Sequence, residues 1–172
     1  MTTAEKLYYT QVNTRVGPLT IAATEHGLCA LHFGESDTVI EAMKPWVQKH
    51  DIAASMEQDF KKLQSVTEQL HEYFAGERKT FDIALDLYGT PFQRSAWQAL
   101  KQIPYGETRS YKQIAEVIGS PKAVRAIGSA NNKNPVSIIV PCHRVIGSNG
   151  KMVGYGSGID KKEHLLKMEG VL

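Results

Sequence analysis

Cysteine is scarce in this chain: Cys29 and Cys142 are the only two in 172 residues. They could form at most one disulfide, which excludes a disulfide-stapled secreted framework. Long apolar runs are also missing. No stretch approaches the roughly 18 residues that a membrane span needs, so no membrane partner is expected. The opening residues, Met1 to Lys6, lack the basic and then apolar build of a signal peptide. Low-complexity segments and internal repeats do not occur. The expectation is an ordinary globular protein of the reducing cytoplasm, long enough for one large domain or two small ones.

Net charge is also small, +2 overall, but it is unevenly spread. Residues 1–85 hold eight Lys/Arg against twelve Asp/Glu, a balance of −4. Residues 86–172 hold twelve against six, a balance of +6. A basic second half suits a polyanionic partner, although charge runs are often only solvated faces. The division 1–85 and 86–172 is taken as two domains.

The first domain reads as strands followed by helices. Residues 7–13 and 19–23 flank Gly17-Pro18, a turn signal that suggests a hairpin. A third strand, 28–33, follows a turn at His26-Gly27. A helix is expected over 38–49, interrupted by Pro45. A stronger one covers 57–75, with Phe60, Leu63, Leu70 and Phe74 on one stripe and Gly76 as its stop. This predicts an α+β fold with a three-stranded antiparallel sheet and covering helices. Residues 76–89 connect the domains, with a short strand at 81–85. His26, Cys29 and His32 are spaced at three-residue steps, but on a strand Cys29 points away from both histidines and a fourth ligand is missing, so no metal site is expected.

The second domain is mostly helical. Thr90-Pro91 starts a helix whose buried face is Phe92, Ala96, Leu100 and Ile103, ended by Pro104 and Gly106. Ser110 caps a helix over 111–118, and Ser120-Pro121 starts another that runs to about Asn131. Two helices joined by so short a turn make a helix-turn-helix. In the second of them Val124 and Ile127 point to the core, and the remaining surface is Arg125, Ala126, Gly128, Ser129 and Ala130. Such small residues fit the minor groove of DNA, only about 6 Å wide. They equally fit close packing against another helix.

The chemistry concentrates at 138–145. Ile138, Ile139 and Val140 form a β-branched run that fits a short buried strand, ended by Pro141. Cys142 follows, with His143 and Arg144 beside it. A thiol becomes a nucleophile as its thiolate, which a neighbouring base or positive field favours. An isolated Cys-His pair would more often be buried packing. The context argues otherwise: glycines at 147, 150, 154, 156 and 158 give a close-approaching backbone after it, and a final helix over 160–169 stops at Gly170.

Pro141-Cys142-His143-Arg144-Val145, with Asn134-Pro135 before it and Gly154-Tyr155 and Glu169-Gly170 after it, resembles the O6-alkylguanine-DNA alkyltransferases, in particular their bacterial, non-inducible type. The resemblance spans most of the second domain in register. It implies repair of guanine alkylated at O6, and of O4-alkylthymine, by a single, stoichiometric transfer of the alkyl group to the protein's own cysteine, without a cofactor. Cys142 matches the acceptor, and His143 and Glu169 the groups that activate it. Asn134 matches the residue that holds the active-site loop and the flipped base. Tyr111 matches the tyrosine at the DNA kink and base pocket, and Arg125 the arginine that fills the vacated stack. Lys112, Ala126, Ser129 and Ser148 fall on the DNA side of the same pattern. Val145, Tyr155, Gly156 and Ser157 fall around the base, where Ser157 replaces the glycine or other small residue of many relatives.

The implied partner is alkylated DNA, met through the minor groove by a monomer. Because successive residues on a strand face opposite ways, Cys142 and His143 need either a bridging water or a turn beginning at Cys142 to cooperate. Two other functions compete: a DNA-binding module without catalysis, in which relatives carry another residue in place of the cysteine, and a thiol hydrolase built on the same Cys-His-Glu set.

Overall fold

Alternating apolar residues drive the first strand, β1 (Ala4–Thr14), against β2 (Gly17–Thr24), with Val12 opposite Leu19 and Tyr9 opposite Ala22. The expected turn residues Gly17 and Pro18 lie inside this ladder, paired with Thr14 and Asn13. The reversal itself is Arg15-Val16, closed by the Thr14 hydroxyl, which accepts from the Val16 amide and donates to the Gly17 carbonyl. β3 (Gly27–Phe33) continues the antiparallel meander. The structure, a computed structural model, describes residues 4–152 and 155–172. Gly154, counted above in the glycine-rich loop, lies outside them.

The sheet has four strands, not three. β4 (Ala53–Gln58) pairs in parallel with β1, giving the order β3-β2-β1-β4. Helix α1 (Ser36–Lys49) makes the crossover that parallel pairing requires. It buries Val39, Met43 and Val47 against Leu7, Cys29 and Ala30. Pro45 does not interrupt it. Pro45 lies on the exposed side, where a freed carbonyl can turn to solvent.

The expected helix over 57–75 is three elements: the end of β4, a 3-10 turn at Lys61–Leu63, and α2 (Gln64–Phe74). Phe60 is 56 % exposed and off the stripe. β4 is a polar edge strand, with Lys6 and Glu57 paired across its rim, so no apolar alternation announced it. Residues 81–85 form no strand. A single bridge joins Leu28 and Leu85, fixed by bonds from the Leu28 amide to Ala84 and from the Asp86 amide to Leu28. A Cβ on Gly27 would stand 2.7 Å from the Ala84 carbonyl, so only glycine admits this strap.

The chain separates into two units, Met1–Tyr88 and Gly89–Leu172. The α+β, two-domain architecture is as the sequence implies. In the second unit α3 (Pro91–Lys101) and α4 (Tyr111–Val117) both begin with full capping boxes, Thr90/Gln93 and Ser110/Gln113. α5 (Val124–Asn132) starts later than expected. Ser120 and Pro121 belong to a preceding turn, in which the Ala123 amide bonds the Ser120 carbonyl. Val124 is consequently 38 % exposed rather than core, while Ala130, read as surface, is buried. The Trp97 indole donates to the Ala130 carbonyl at 2.8 Å and pins α5 to α3.

Residues 138–140 are not a strand. They form a tight buried turn in which Ile138 adopts φ +73°, a strained choice for a β-branched residue. Burial on all sides favours apolar residues in any backbone, which is why the run looked like a strand. The Asn134 side chain holds the turn: its Nδ2 donates to the Val140 carbonyl at 2.7 Å, and its Oδ1 accepts from the Val136 amide at 3.0 Å. The chain then makes a 3-10 turn, Cys142–Arg144, and a two-residue strand, β6 (Val145–Ile146). β6 pairs in parallel with β5 (Arg109–Ser110), immediately before α4. That pairing carries Tyr111 to the cysteine turn. α6 (Ile159–Met168) closes the unit, with Glu169 at its C-cap.

Candidate active site

Cys142 lies at the bottom of this arrangement, 4 % exposed. The turn beginning there replaces the extended geometry that would have set Cys142 and His143 on opposite faces. Burial pushes the Cys142 thiol up, against hydrogen bonds from Asn134 and Ser137 and the charge of Lys162, which favour the thiolate. The resting sulfur is therefore a protonated thiol among groups able to stabilise its anion.

Behind it His143 is fully buried, with Nε2 2.7 Å from Glu169 Oε2. Glu169 also takes two bonds from Arg144, Nε to Oε1 at 2.8 Å and an NH2 contact to Oε2 at 3.1 Å. Arg144 donates a third time, to the Ile103 carbonyl at 2.7 Å. Burial alone would raise Glu169, but hydrogen bonds and charge from His143 and Arg144 bring it down to about 2. Burial lowers His143, and Glu169 only partly restores it. The consistent state is an Arg144–Glu169 ion pair beside a neutral imidazole. A neutral imidazole donating Nε2–H to the carboxylate leaves Nδ1 as its basic nitrogen. That Nδ1 is buried with no hydrogen-bond partner among the described residues.

The ion pair predicts acid sensitivity. Glu169 titrates lower in the folded protein than in an unfolded chain, where glutamate lies near 4.3. Its contribution, on the order of 3 kcal/mol, is full above about pH 4.5 and is lost as pH falls toward 2. Acid unfolding followed by fluorescence should show the second unit losing stability across that window. Glu169→Gln should remove this part of the dependence, and parallel curves for the two proteins would refute the assignment.

Of the residues singled out from the sequence, Cys142, His143, Glu169, Asn134 and Tyr111 come together. Tyr111 is half-buried, its phenol raised by burial and by the Cys142 sulfur and eased by a hydrogen bond from Asn131. Val145 and Tyr155 are buried, whereas Gly156 and Ser157 are exposed. Arg125, Ala126, Ser129, Lys112 and Ser148 all lie on exposed surface. His26 is exposed and Cys29 fully buried, its thiol directed to the Ala22 carbonyl. Among the described residues no cluster of His, Cys, Asp or Glu could hold a metal, and no helix is long and apolar enough to cross a membrane.

Four residues went unassigned in the sequence. Arg144 was noted only as a charge beside the cysteine. Lys162 was not singled out, yet it is fully buried and its Nζ donates to the Val145 carbonyl. Burial lowers it to about 8, against the pull of the Cys142 sulfur. Its position was legible in one respect, since Leu165, Leu166 and Glu169 follow at helical spacing on the same buried stripe. Ser137 and Asn131 gave no signal.

A helix-turn-helix surface adjoining a buried thiol, backed by a neutral base and an ion pair, defines a DNA-directed thiol protein. Residues 7–87 match the ribonuclease-like domain, and residues 91–171 the DNA-binding domain, of 6-O-methylguanine DNA methyltransferase. The chain belongs to that family. It is 49 % identical over 164 residues to the methylated-DNA–protein-cysteine methyltransferase of Methanosarcina acetivorans, covering 95 % of this chain and 99 % of that one. It is 47 % identical over 164 residues to the constitutive protein of that name from Bacillus subtilis, covering 94 % of each. The crystal structure of Mycobacterium tuberculosis OGT in complex with DNA superposes with a TM-score of 0.81 at 45 % identity, covering 94 % and 92 %.

Proposed function

We propose that this protein carries out direct-reversal DNA repair by moving the alkyl group of O6-alkylguanine, and of O4-alkylthymine, to Cys142 Sγ, once per molecule. The observation that carries this is the unpartnered Nδ1 of a neutral His143 within the unit that holds both Cys142 and the helix-turn-helix. Residues 86–172 act as the DNA-binding and acceptor domain. The protein works as a cytoplasmic monomer on the minor groove of alkylated DNA, with no cofactor.

The target carbon is buried in duplex DNA, so the nucleotide must be flipped out. The exposed small face of α5, with Arg125, suits the minor groove, and Arg125 props the vacated stack. Once the base is seated, the Cys142 proton passes to His143 Nδ1 through a water, and Glu169 holds the imidazolium that forms. Lys162 and the Asn134 and Ser137 hydrogen bonds stabilise the thiolate. Sulfur attacks the alkyl carbon in line. The C–S bond forms as the C–O bond breaks, and the electron pair leaves on the guanine, whose developing charge the Tyr111 phenol meets by donating to a ring nitrogen.

Incubation with an alkylated-guanine duplex, followed by weighing the intact protein, tests this. One alkyl mass gained per chain, and then no more, is expected. Continued turnover would indicate a hydrolase, and binding without mass gain a recognition module.

Arg125→Ala should slow repair of duplex DNA by about tenfold or more, yet leave reaction with the free base nearly unchanged, because only the duplex has a stack to break. Arg125→Lys should recover part of the loss, since a planar guanidinium stacks and an ammonium does not. Equal losses on duplex and free base would remove the wedge role. Full rescue by lysine would reduce Arg125 to a phosphate contact.

A further inference from the structure

Arg144 follows His143 in the chain, yet the proton path from Cys142 does not pass through it. Its guanidinium is nevertheless held from several sides. Nε and Nη2 donate to Glu169 Oε1 and Oε2 at 2.8 and 3.1 Å, and Nη1 donates to the Ile103 carbonyl at 2.7 Å. Its central carbon lies over the Tyr105 ring, 5.8 Å from the ring centre. The Tyr105 hydroxyl in turn donates to the Met168 carbonyl at 3.3 Å. Arg144, Glu169 and His143 are all buried. These contacts fix one positive charge against the carboxylate.

Glu169 Oε2 is shared, since it meets both Arg144 Nη2 and His143 Nε2, the latter at 2.7 Å. One carboxylate balances one positive charge, and burial penalises any charge left over. A guanidinium does not give up its proton, so with Arg144 in place the imidazole is the member that stays neutral. Without Arg144 the buried carboxylate and imidazole would together take up one more proton. That proton has two places to sit. On the ring it makes an imidazolium, with hydrogens on both nitrogens. On the carboxyl it is donated to Nε2, which leaves the ring's own hydrogen on Nδ1. Both arrangements fill the Nδ1 lone pair, the one without a partner among the described residues. The other titratable groups around the pair are Cys142 in the same turn, Lys162 on α6 and Tyr105 after α3. Lys162 opposes a charge on His143 in the same sense as Arg144, but less strongly, and its Nζ donates to the Val145 carbonyl. Burial keeps Cys142 and Tyr105 protonated and so uncharged.

We propose that Arg144 is a positioning residue for alkyl transfer: by holding the positive charge opposite Glu169 it keeps His143 Nδ1 free of a proton and open to the one that Cys142 gives up. This rests on the repair function proposed above. Arg144 acts through the protonation of His143 and not through the sulfur.

Nitrogen NMR of histidine-labelled protein separates the outcomes, because protonated and bare ring nitrogens resonate far apart. The His143 signals are those missing from His143→Gln. At neutral pH the parent should show a bare Nδ1 and a protonated Nε2. Arg144→Met should show Nδ1 protonated, and transfer from an O6-methylguanine duplex should slow about a hundredfold, the scale of losing a general base. Arg144→Lys keeps the charge without the fork, so Nδ1 should stay bare and the rate should lie within about tenfold of the parent. Should the methionine variant fail to fold, Arg144→Gln, which keeps a donor toward Glu169 and loses the charge, is read in the same way. A variant without the charge that is slow but keeps a bare Nδ1 overturns the proposal and leaves Arg144 a purely structural role. A lysine variant with Nδ1 protonated overturns it too. An active parent whose Nδ1 is protonated refutes the role of Arg144 alone, whereas a parent with a bare Nδ1 that transfers nothing overturns the repair function itself.

Discussion

Cys142→Ser will abolish alkyl transfer while DNA binding persists. A serine hydroxyl in the same place is a far weaker nucleophile, and neither Lys162 nor the Asn134 and Ser137 hydrogen bonds can hold its anion at neutral pH. The rate should fall by a factor on the order of 10⁴ or more, the scale of losing the nucleophile of a catalytic triad. Cys29 cannot substitute. It belongs to the other unit, is fully buried, and burial and Asp86 push its thiol up to about 12. The exposed residues assigned to DNA, among them Arg125, Ala126 and Ser129, do not depend on the sulfur. Gel-shift affinity should therefore match the parent. Peptide mass mapping of the reacted parent should place the alkyl group on Cys142. An alkyl group on Cys29 would sink the assignment.

Glu169→Gln should be the most damaging change away from the sulfur, because it strikes stability and rate together. It leaves the buried Arg144 guanidinium facing a neutral amide in place of its carboxylate. Breaking a buried pair from one side costs about 3–5 kcal/mol. For a unit of this size, Gly89–Leu172, that lowers the melting temperature by roughly 12–40 °C. The rate falls separately, since the imidazolium formed on proton transfer loses the charge that holds it. His143→Ala should also slow transfer strongly. In the double variant the losses should combine to less than their product, because carboxylate and imidazole act as one unit. Independent, multiplicative losses, or a Cys142 thiol that titrates identically in His143→Ala and the parent, would break the chain from Glu169 through His143 to the sulfur.

Where local chemistry dominates, the sequence was readable. Thr90-Pro91 and Ser110 announced the starts of α3 and α4, and both caps are made as written. The Cys142–Arg144 cluster was legible because residue types rarely combined by chance stood side by side, and Glu169 was picked out only by the family resemblance. Other elements misled for physical reasons. Residues 53–58 gave no strand signal because an edge strand keeps a polar rim. Residues 138–140 gave a false one, because an apolar β-branched run reports burial and not backbone shape. Ser120-Pro121 carried a valid helix-start signature, which the turn before α5 used instead.

By itself the sequence determined the helix caps, the division into an acidic and a basic half, and the placing of a cysteine, a histidine and an arginine side by side at 142–144. These depend on neighbours along the chain, which a sequence states outright. Only the tertiary structure decided that the thiol rests protonated, that Arg144 and not His143 carries the charge opposite Glu169, that Lys162 is buried, and that Asn131 keeps an acceptor unpaired beside Cys142. Each of these is a matter of solvent exclusion and of contacts across 11 to 41 residues of chain. Charge state and hydrogen-bond satisfaction follow from what surrounds a group in space, and residues that distant become neighbours only when the chain has folded.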